Sequence, residues 1–165
     1  MASTVTSKLI VQLTSILANS VGLASAQATI ETGINQNLPN GTGALQCDRV
    51  FSENDKSISG ATDIDLAGAL VDALGVACVF ARVRALIVVA DALNAGDVVV
   101  GGDANAWLFG GAAAHTISVK PGGVLVLLAG NTAGYVVTAA TGDILQFAPS
   151  AGTVVFDYAV LGCSA

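Results

Sequence analysis

Beyond residue 60 the chain alternates short runs rich in Val, Ile and Leu with glycine turns at spacings of about ten residues, and this feature constrains the fold more than any other. Runs this short, with no helical pattern between them, build antiparallel sheets and not βαβ units. Strands are predicted near 62–67, 78–90, 97–101, 106–109, 115–120, 123–129, 134–140, 144–148 and 153–161. Between them lie Asn94-Ala95-Gly96, Gly101-Gly102, Pro121-Gly122-Gly123, Thr141-Gly142-Asp143 and Ser150-Ala151-Gly152. Proline presets the first central turn position and glycine supplies positive φ at the next, so Pro121-Gly122 is predicted to close a hairpin. The pattern fits a mainly β protein built as an antiparallel two-sheet β-sandwich of jelly-roll-like topology, a barrel being the other arrangement open to it.

The first 60 residues differ in kind. From Val5 to Val21 the apolar positions Leu9, Leu13, Ile16 and Leu17 suit one face of a helix, although Leu9-Val11-Leu13 also fits a short strand. Helix is the favoured reading. Residues 27–60 pass through Asn35, Asn37, Pro39, Asn40, Gly41 and Gly43 to Glu53, Asn54, Asp55 and Lys56 with little periodicity, which reads as an extended segment. The chain thus divides into an N-terminal arm, 1–60, which includes a short helix, and a β-sandwich, 61–165. Lys8 followed by Leu9 to Leu23 and Ala24-Ser25-Ala26 imitates a secretory signal. Gln12, Thr14, Ser15, Asn19 and Ser20 interrupt the would-be apolar segment, so no cleaved signal is expected.

Hydrophobic residues make up 53% of the 165 and charged residues 11%, against about 25% charged in ordinary soluble domains, so there are too few charges to dress the whole surface. Disorder is excluded. Neither is a membrane-spanning helix expected, because the best apolar stretch, Val76 to Ala90, carries Arg82 and Arg84 near its middle. Six basic against twelve acidic residues, a net charge of −6, argues against nucleic-acid binding, which needs basic patches to displace counterions.

Groups able to move protons or hold metals are few. His115 is the single histidine, no Gly-x-Ser-x-Gly elbow accompanies it, and one imidazole cannot form the multi-histidine site of a metal-binding cupin. Asp63 and Asp65 project from one face of a predicted strand with Asp72 close behind, a carboxylate group able to hold calcium in principle. The segment lacks the spaced oxygen ligands of a calcium loop, and acidic residues at strand ends ordinarily form turns. Cys47, Cys78 and Cys163 are odd in number and widely spaced, which suggests neither disulfides nor zinc. The glycine pairs fit no phosphate loop. Trp107 and Phe109, two apart, are expected in the core, and a glycan platform would need Trp107 or Tyr135 exposed. No enzyme activity, cofactor or metal is expected.

In the long strand Val79, Ala81, Val83, Ala85, Ile87 and Val89 alternate with Phe80, Arg82, Arg84, Leu86 and Val88, so both faces are largely apolar and one must meet something besides water. Arg82 and Arg84 share a face, and with Leu9, Leu13, Ile16 and Leu17 of the arm they are the candidate interface residues. A chain this apolar and this poor in reactive groups is economically explained by burial against copies of itself or a larger structure.

Asn40-Gly41-Thr42-Gly43 with Gln46 and Asp48, then Asp65-Leu66-Ala67-Gly68 with Leu70, Asp72, Ala73 and Gly75, resembles a family of small structural proteins of tailed bacteriophages and prophages. Val100-Gly101-Gly102, Pro121-Gly122-Gly123, Gly134-Tyr135 with Val137-Thr138-Ala139, and Thr141-Gly142-Asp143 extend the resemblance over most of the chain. It implies a virion component made in the host cytoplasm, foremost a decoration or cement protein on the capsid surface, with a tail or fibre-base subunit or a receptor-binding module as alternatives. The implied partners are further copies of the chain, as a trimer for instance, and the major capsid protein. Residues 1–60 are expected to supply most of the grip.

Overall fold

The computed structural model describes residues 4–21, 24–107 and 109–165, and among them there are strands and no helix. In chain order the strands are β1 (Ser7–Val21), β2 (Ala24–Leu38), β3 (Arg49–Ile58), β4 (Thr62–Asp65), β5 (Arg82–Ala90) and β6 (Val98–Gly101). They continue with β7 (Thr116–Val119), β8 (Val124–Leu128), β9 (Tyr135–Val136), β10 (Ile144–Pro149) and β11 (Val154–Cys163). Three sheets result: a two-stranded β1-β2 ribbon, a four-stranded sheet β4-β10-β6-β7, and a five-stranded sheet β3-β11-β5-β8 with β9 also on β5. Every strand pair is antiparallel.

The helix favoured near the N-terminus is not formed. Leu9, Val11, Leu13 and Leu17 keep the two-residue period of a strand, and β2 brings Ala28, Ile30 and Ile34 to the same face at matching rungs. The helical spacing of Leu9, Leu13, Ile16 and Leu17 is a coincidence of that alternation with one extra isoleucine. The body also begins earlier than residue 60: β3 pairs with β11 along its length, so the projecting arm is the hairpin Ser7–Leu38 and Arg49 onward belongs to the body.

Most of the strands predicted after residue 60 are present with shifted ends. The segment expected at 106–109 is a loop in which Ala106 makes one isolated bridge to Ile144, and Leu108 lies outside the described residues. The strand expected from 78 starts at Arg82, and the one at 134–140 shortens to Tyr135–Val136, bounded by positive φ at Gly134 and Ala140.

Pro121-Gly122 forms the expected turn, with the Gly123 amide donating to the Lys120 carbonyl at 2.7 Å and Gly122 at φ 71°. It does not close a hairpin. β7 pairs with β6 and β8 with β5, so the turn carries the chain from one sheet to the other. Local turn chemistry is independent of whether the flanking strands pair with one another.

The main core lies between the four- and five-stranded sheets. Leu145 and Phe147 of β10 and Val98 and Val100 of β6 meet Leu86 and Val88 of β5 and Phe156, Tyr158 and Val160 of β11. Phe147 sits with its ring centroid 4.7 Å from Phe156 and 4.9 Å from Tyr158, tilted contacts of the kind aromatic quadrupoles favour. A register shift between Leu161 and Gly162 opposite β5 leaves Arg84 as the extra residue of that strand. The strict alternation expected along residues 79–90 therefore breaks there, and Val83 joins Leu86 and Val88 in the core.

Candidate assembly interface

Among the described residues those of the hairpin are the least covered by the rest of the chain. Its strands pair over fifteen rungs, from Ser7↔Leu38 to Val21↔Ala24. At about 3.4 Å per residue it is roughly 50 Å long. Residues on one rung share a face, so Leu9/Gln36, Val11/Ile34, Leu13/Thr32, Ser15/Ile30 and Leu17/Ala28 line one side of the ribbon. The opposite side carries Lys8/Asn37, Ile10/Asn35, Gln12/Gly33, Thr14/Glu31 and Ile16/Thr29. The first face is apolar and uncharged; the second is polar apart from two isoleucines.

At the base the apolar face is buried. Leu38 is fully enclosed with Cys47, Ala85 and Leu161, and Val5, Leu45, Val50 and Leu128 pack around them. Leu9 is 8% exposed, whereas Leu13 and Leu17 further out are 57% and 66% exposed, as are Ile16 and, across the rungs, Ile30 and Ile34 to similar degrees. Of the arm residues singled out from sequence, Leu9 thus seats the hairpin. Leu13 and Leu17 lie uncovered on the apolar face and Ile16 on the other.

The loop after the hairpin locks this base. Gln46 Oε1 accepts from the Gly43 amide at 2.8 Å, and a Cβ at Gly41 would come within 2.4 Å of that oxygen, so the Asn-Gly-Thr-Gly segment is small because the Gln46 side chain folds over it. The Val5 amide donates to Asn40 Oδ1 at 3.1 Å, Cys163 Sγ to the Gln46 carbonyl at 3.3 Å, and Asp48 accepts from the backbone and hydroxyl of Ser164 at 2.8 and 2.6 Å.

Arg84 is completely buried and faces no partner, which removes it from the interface set. Its Nη2 donates to the carbonyls of Thr42 and Gly43 at 3.1 and 3.0 Å and its Nη1 to that of Asn131. From the bulge in β5 the guanidinium reaches under the foot of the arm and ties the loop after the hairpin to the loop after β8. Arg82 is half-buried, its Nη1 3.4 Å from the Thr132 carbonyl.

A second apolar surface lies on the outer side of the five-stranded sheet. Val89 sits opposite Val124, Ile87 opposite Val126 and Ala159, and Ala85 opposite Leu128 and Leu161. The arm base covers the end at Ala85 and Leu161; Val89 and Val124, at the far end, are 38% and 59% exposed. Toward the open end of this face the charge is Asp157, which accepts from the Asp55 amide at 2.8 Å; Arg82, opposite Cys163, lies at the other end. The open face is thus the one bearing Ala85, Ile87 and Val89, whereas the arginine-bearing face with Leu86 and Val88, expected at an interface, lies in the core; the chain's own arm covers one end of the open face.

The remaining candidates are structural in their contacts. Asp65 Oδ1 accepts from the Ala67 amide at 3.0 Å, Asp72 Oδ1 from the amides of Leu74 and Val76 at 2.9 Å each, and Asp63 Oδ1 from Gln146 at 2.8 Å. The first two are turn-building carboxylates. Among the described residues no group of three or more His, Cys, Asp and Glu side chains is placed to hold a metal. His115 is exposed and its Nδ1 contacts the Gly110 carbonyl. Trp107 is 1% exposed, packed on Phe109 and Tyr135 at 5.4 and 5.6 Å, so the exposed aromatic a glycan platform would need is not Trp107. All three cysteines are buried and free, and burial pushes the Cys78 thiol up to about 11.

What sequence reasoning missed is β2. Its residues Ala28, Ile30, Thr32, Ile34 and Gln36 alternate with polar ones, but the isolated apolar positions are too sparse to register until they are set against β1. The chain matches no family model, no curated protein and no solved structure.

Proposed function

We propose that this chain is a structural assembly subunit, and specifically a capsid decoration protein of a tailed bacteriophage, with a jelly-roll body and a hairpin arm. The single observation that carries the assembly reading is the arm: a ribbon of two strands with an apolar, uncharged face on which Val11, Leu13, Leu17, Ile30 and Ile34 lie exposed. An isolated two-stranded ribbon is marginal in water, and a face of this kind is stable once another surface lies against it. The family resemblance of the turn motifs directs that reading toward a virion.

The strand order supports the jelly roll. With β3, β4, β5, β6, β7, β8, β10 and β11 taken as its strands, the pairs are first with last, β4 with β10, β5 with β8, and β6 with β7. This is one long antiparallel hairpin rolled into two facing sheets, the arrangement found in many viral capsid domains. The outer face of the five-stranded sheet, with Val89 and Val124, supplies a second apolar surface for a shell or a neighbour.

The test is the copy number of the chain in purified particles, by quantitative mass spectrometry against the major capsid protein. Hundreds of copies in simple ratio to the shell subunit are expected. A handful would move the chain to the tail or fibre base, and none would overturn the virion reading. Truncation at residue 25 would split the hairpin and leave β2 without its partner, so the arm is better removed as paired rungs. Excising residues 11–34 and closing Ile10 to Asn35 with Asn-Gly should abolish particle binding and leave the body folded.

A further inference from the structure

We infer that the apolar face of the hairpin packs against the same face of a second copy of this chain, ribbon on ribbon. The inference deepens the assembly reading and rests on it. Four observations lead there.

The first is continuity. The face that carries Val11, Leu13, Leu17, Ile30 and Ile34 is the face that Leu38 and Leu9 already bury at the base, so the arm is built to be covered on that side along its length.

The second is charge. Lys8 and Glu31, the charged residues of the two strands, both project from the opposite side. The apolar face therefore has nothing with which to select a charged partner, and two identical copies meet there without repulsion.

The third is shape. At rung 13/32 the large side chain is on β1, at 15/30 it is on β2, and at 17/28 it is on β1 again, with Thr32, Ser15 and Ala28 as the small partners. This chequered relief complements itself under a two-fold rotation, large over small, which is what an isologous contact requires.

The fourth is area. Beyond the rung of Leu9, already buried against the body, one face of the ribbon is roughly 40 Å long and 10 Å wide, about 400 Å², so two arms bury about 800 Å² together, the size of a weak, reversible interface. The exposed outer face of the body is the other apolar surface of a second copy. The arm base of its own chain already covers that face at Ala85 and Leu161, so only the end at Val89 and Val124 is left for a second copy's arm.

The test uses the full chain carrying single cysteines along the arm, since the native thiols are buried. Val11→Cys, Leu13→Cys, Ser15→Cys and Leu17→Cys sample one face; Gln12→Cys, Thr14→Cys and Ile16→Cys sample the other. Mild oxidation, or a short bis-maleimide, should join chains with a period of two, confined to the odd positions and strongest where the symmetry axis crosses. Light scattering should report an oligomer that dissociates in the double variant Leu13→Asp/Leu17→Asp. Its dissociation constant should rise on the order of a hundredfold. Unchanged near-ultraviolet dichroism from Trp107 and the tyrosines of the body would establish that the variant remains folded. A monomer at micromolar concentration, cross-links at the even positions, or an oligomer that survives both aspartates overturns the inference. A monomer found in hundreds of copies per particle would leave the virion reading standing, and an oligomer absent from particles would do the reverse.

Discussion

The Nη2 atom of Arg84 lies 3.1 Å from the carbonyl oxygen of Thr42, a contact across 42 residues of chain that ties the foot of the arm to the middle of the five-stranded sheet. Among the described residues no carboxylate pairs with this guanidinium; main-chain carbonyls of Thr42, Gly43 and Asn131 accept from its two Nη atoms, and its buried Nε finds no acceptor. A hydrogen bond to a charged group is worth about 1.5–3 kcal/mol and an abandoned carbonyl costs further. Arg84→Met should therefore destabilise the protein by about 3 kcal/mol, roughly 6–12 °C in melting temperature. Arg84→Lys, which keeps the charge but cannot fork to both loops, should fall between. Thermal melts followed at Trp107 check the order; equal stability of all three proteins would contradict it.

Gly162 sits where two strands and a ring converge. A Cβ there would stand 2.2 Å from the Arg82 carbonyl and 2.7 Å from Phe80 Cδ1, and the backbone atom cannot yield as a flexible side-chain end would. Gly162→Ala should cost about 2–4 kcal/mol by forcing β5 and β11 apart next to the Arg84 bulge. Gly60→Ala is the control. Nothing lies within 4 Å of its added carbon, and denaturant midpoints should place it within about 0.5 kcal/mol of the parent.

Tyr158 donates its hydroxyl proton to Glu53 Oε2 at 2.7 Å, from the β11 side of the core to the sheet edge. Burial, then this carboxylate, holds the Tyr158 phenol above its usual range. Burial alone would raise Glu53, but the hydrogen bond from Tyr158 and the nearby Lys56 ammonium outweigh it and hold the carboxyl below its ordinary 4.5. Glu53 therefore contributes stability that is present in full above pH 4.5 and is lost as pH falls. The phenol's contribution is present below pH 10 and is lost as pH rises. Tyr158→Phe should flatten the alkaline limb and weaken the acid one, as read from urea midpoints across the pH range.

The thiols of Cys47, Cys78 and Cys163 should be silent toward a small disulfide reagent in the native protein and all titrate in denaturant. Burial keeps Cys47 and Cys78 protonated, and a thiol is a poor nucleophile. Rapid reaction of one equivalent without denaturant would mean that the arm base opens, because Cys47 lies beneath Leu38.

The body was legible from sequence because its signals are local. Glycines at Gly122 and Gly152 adopt positive φ where a turn was predicted, and strands such as Val124–Leu128 and Val154–Cys163 fall near their predicted limits. Pro121-Gly122 forms the turn its residues dictate and not the hairpin they suggest, since the identity of a strand's partner is a matter of sheet closure and not of turn residues.

The candidate site was legible only in part. Leu13, Ile16 and Leu17 stand out in the sequence and are exposed, but their helical spacing hides the strand, and Ile30 and Ile34 across the ribbon give no signal because each stands alone among polar residues. Counting twos along β5 puts Arg84 on one face with Leu86 and Val88, and one extra residue opposite Leu161 and Gly162 invalidates that count.

By itself, then, the sequence determined the β class, the turn positions and the shortage of charge that makes exposed apolar surface unavoidable, because composition and turn chemistry act over a few residues. Tertiary structure alone decided that Ser7–Leu38 is one ribbon, that a single face of it is apolar, and that Arg84 is buried beneath the foot of the arm. Those outcomes depend on register between segments distant in sequence, and a register exists only once the strands are paired.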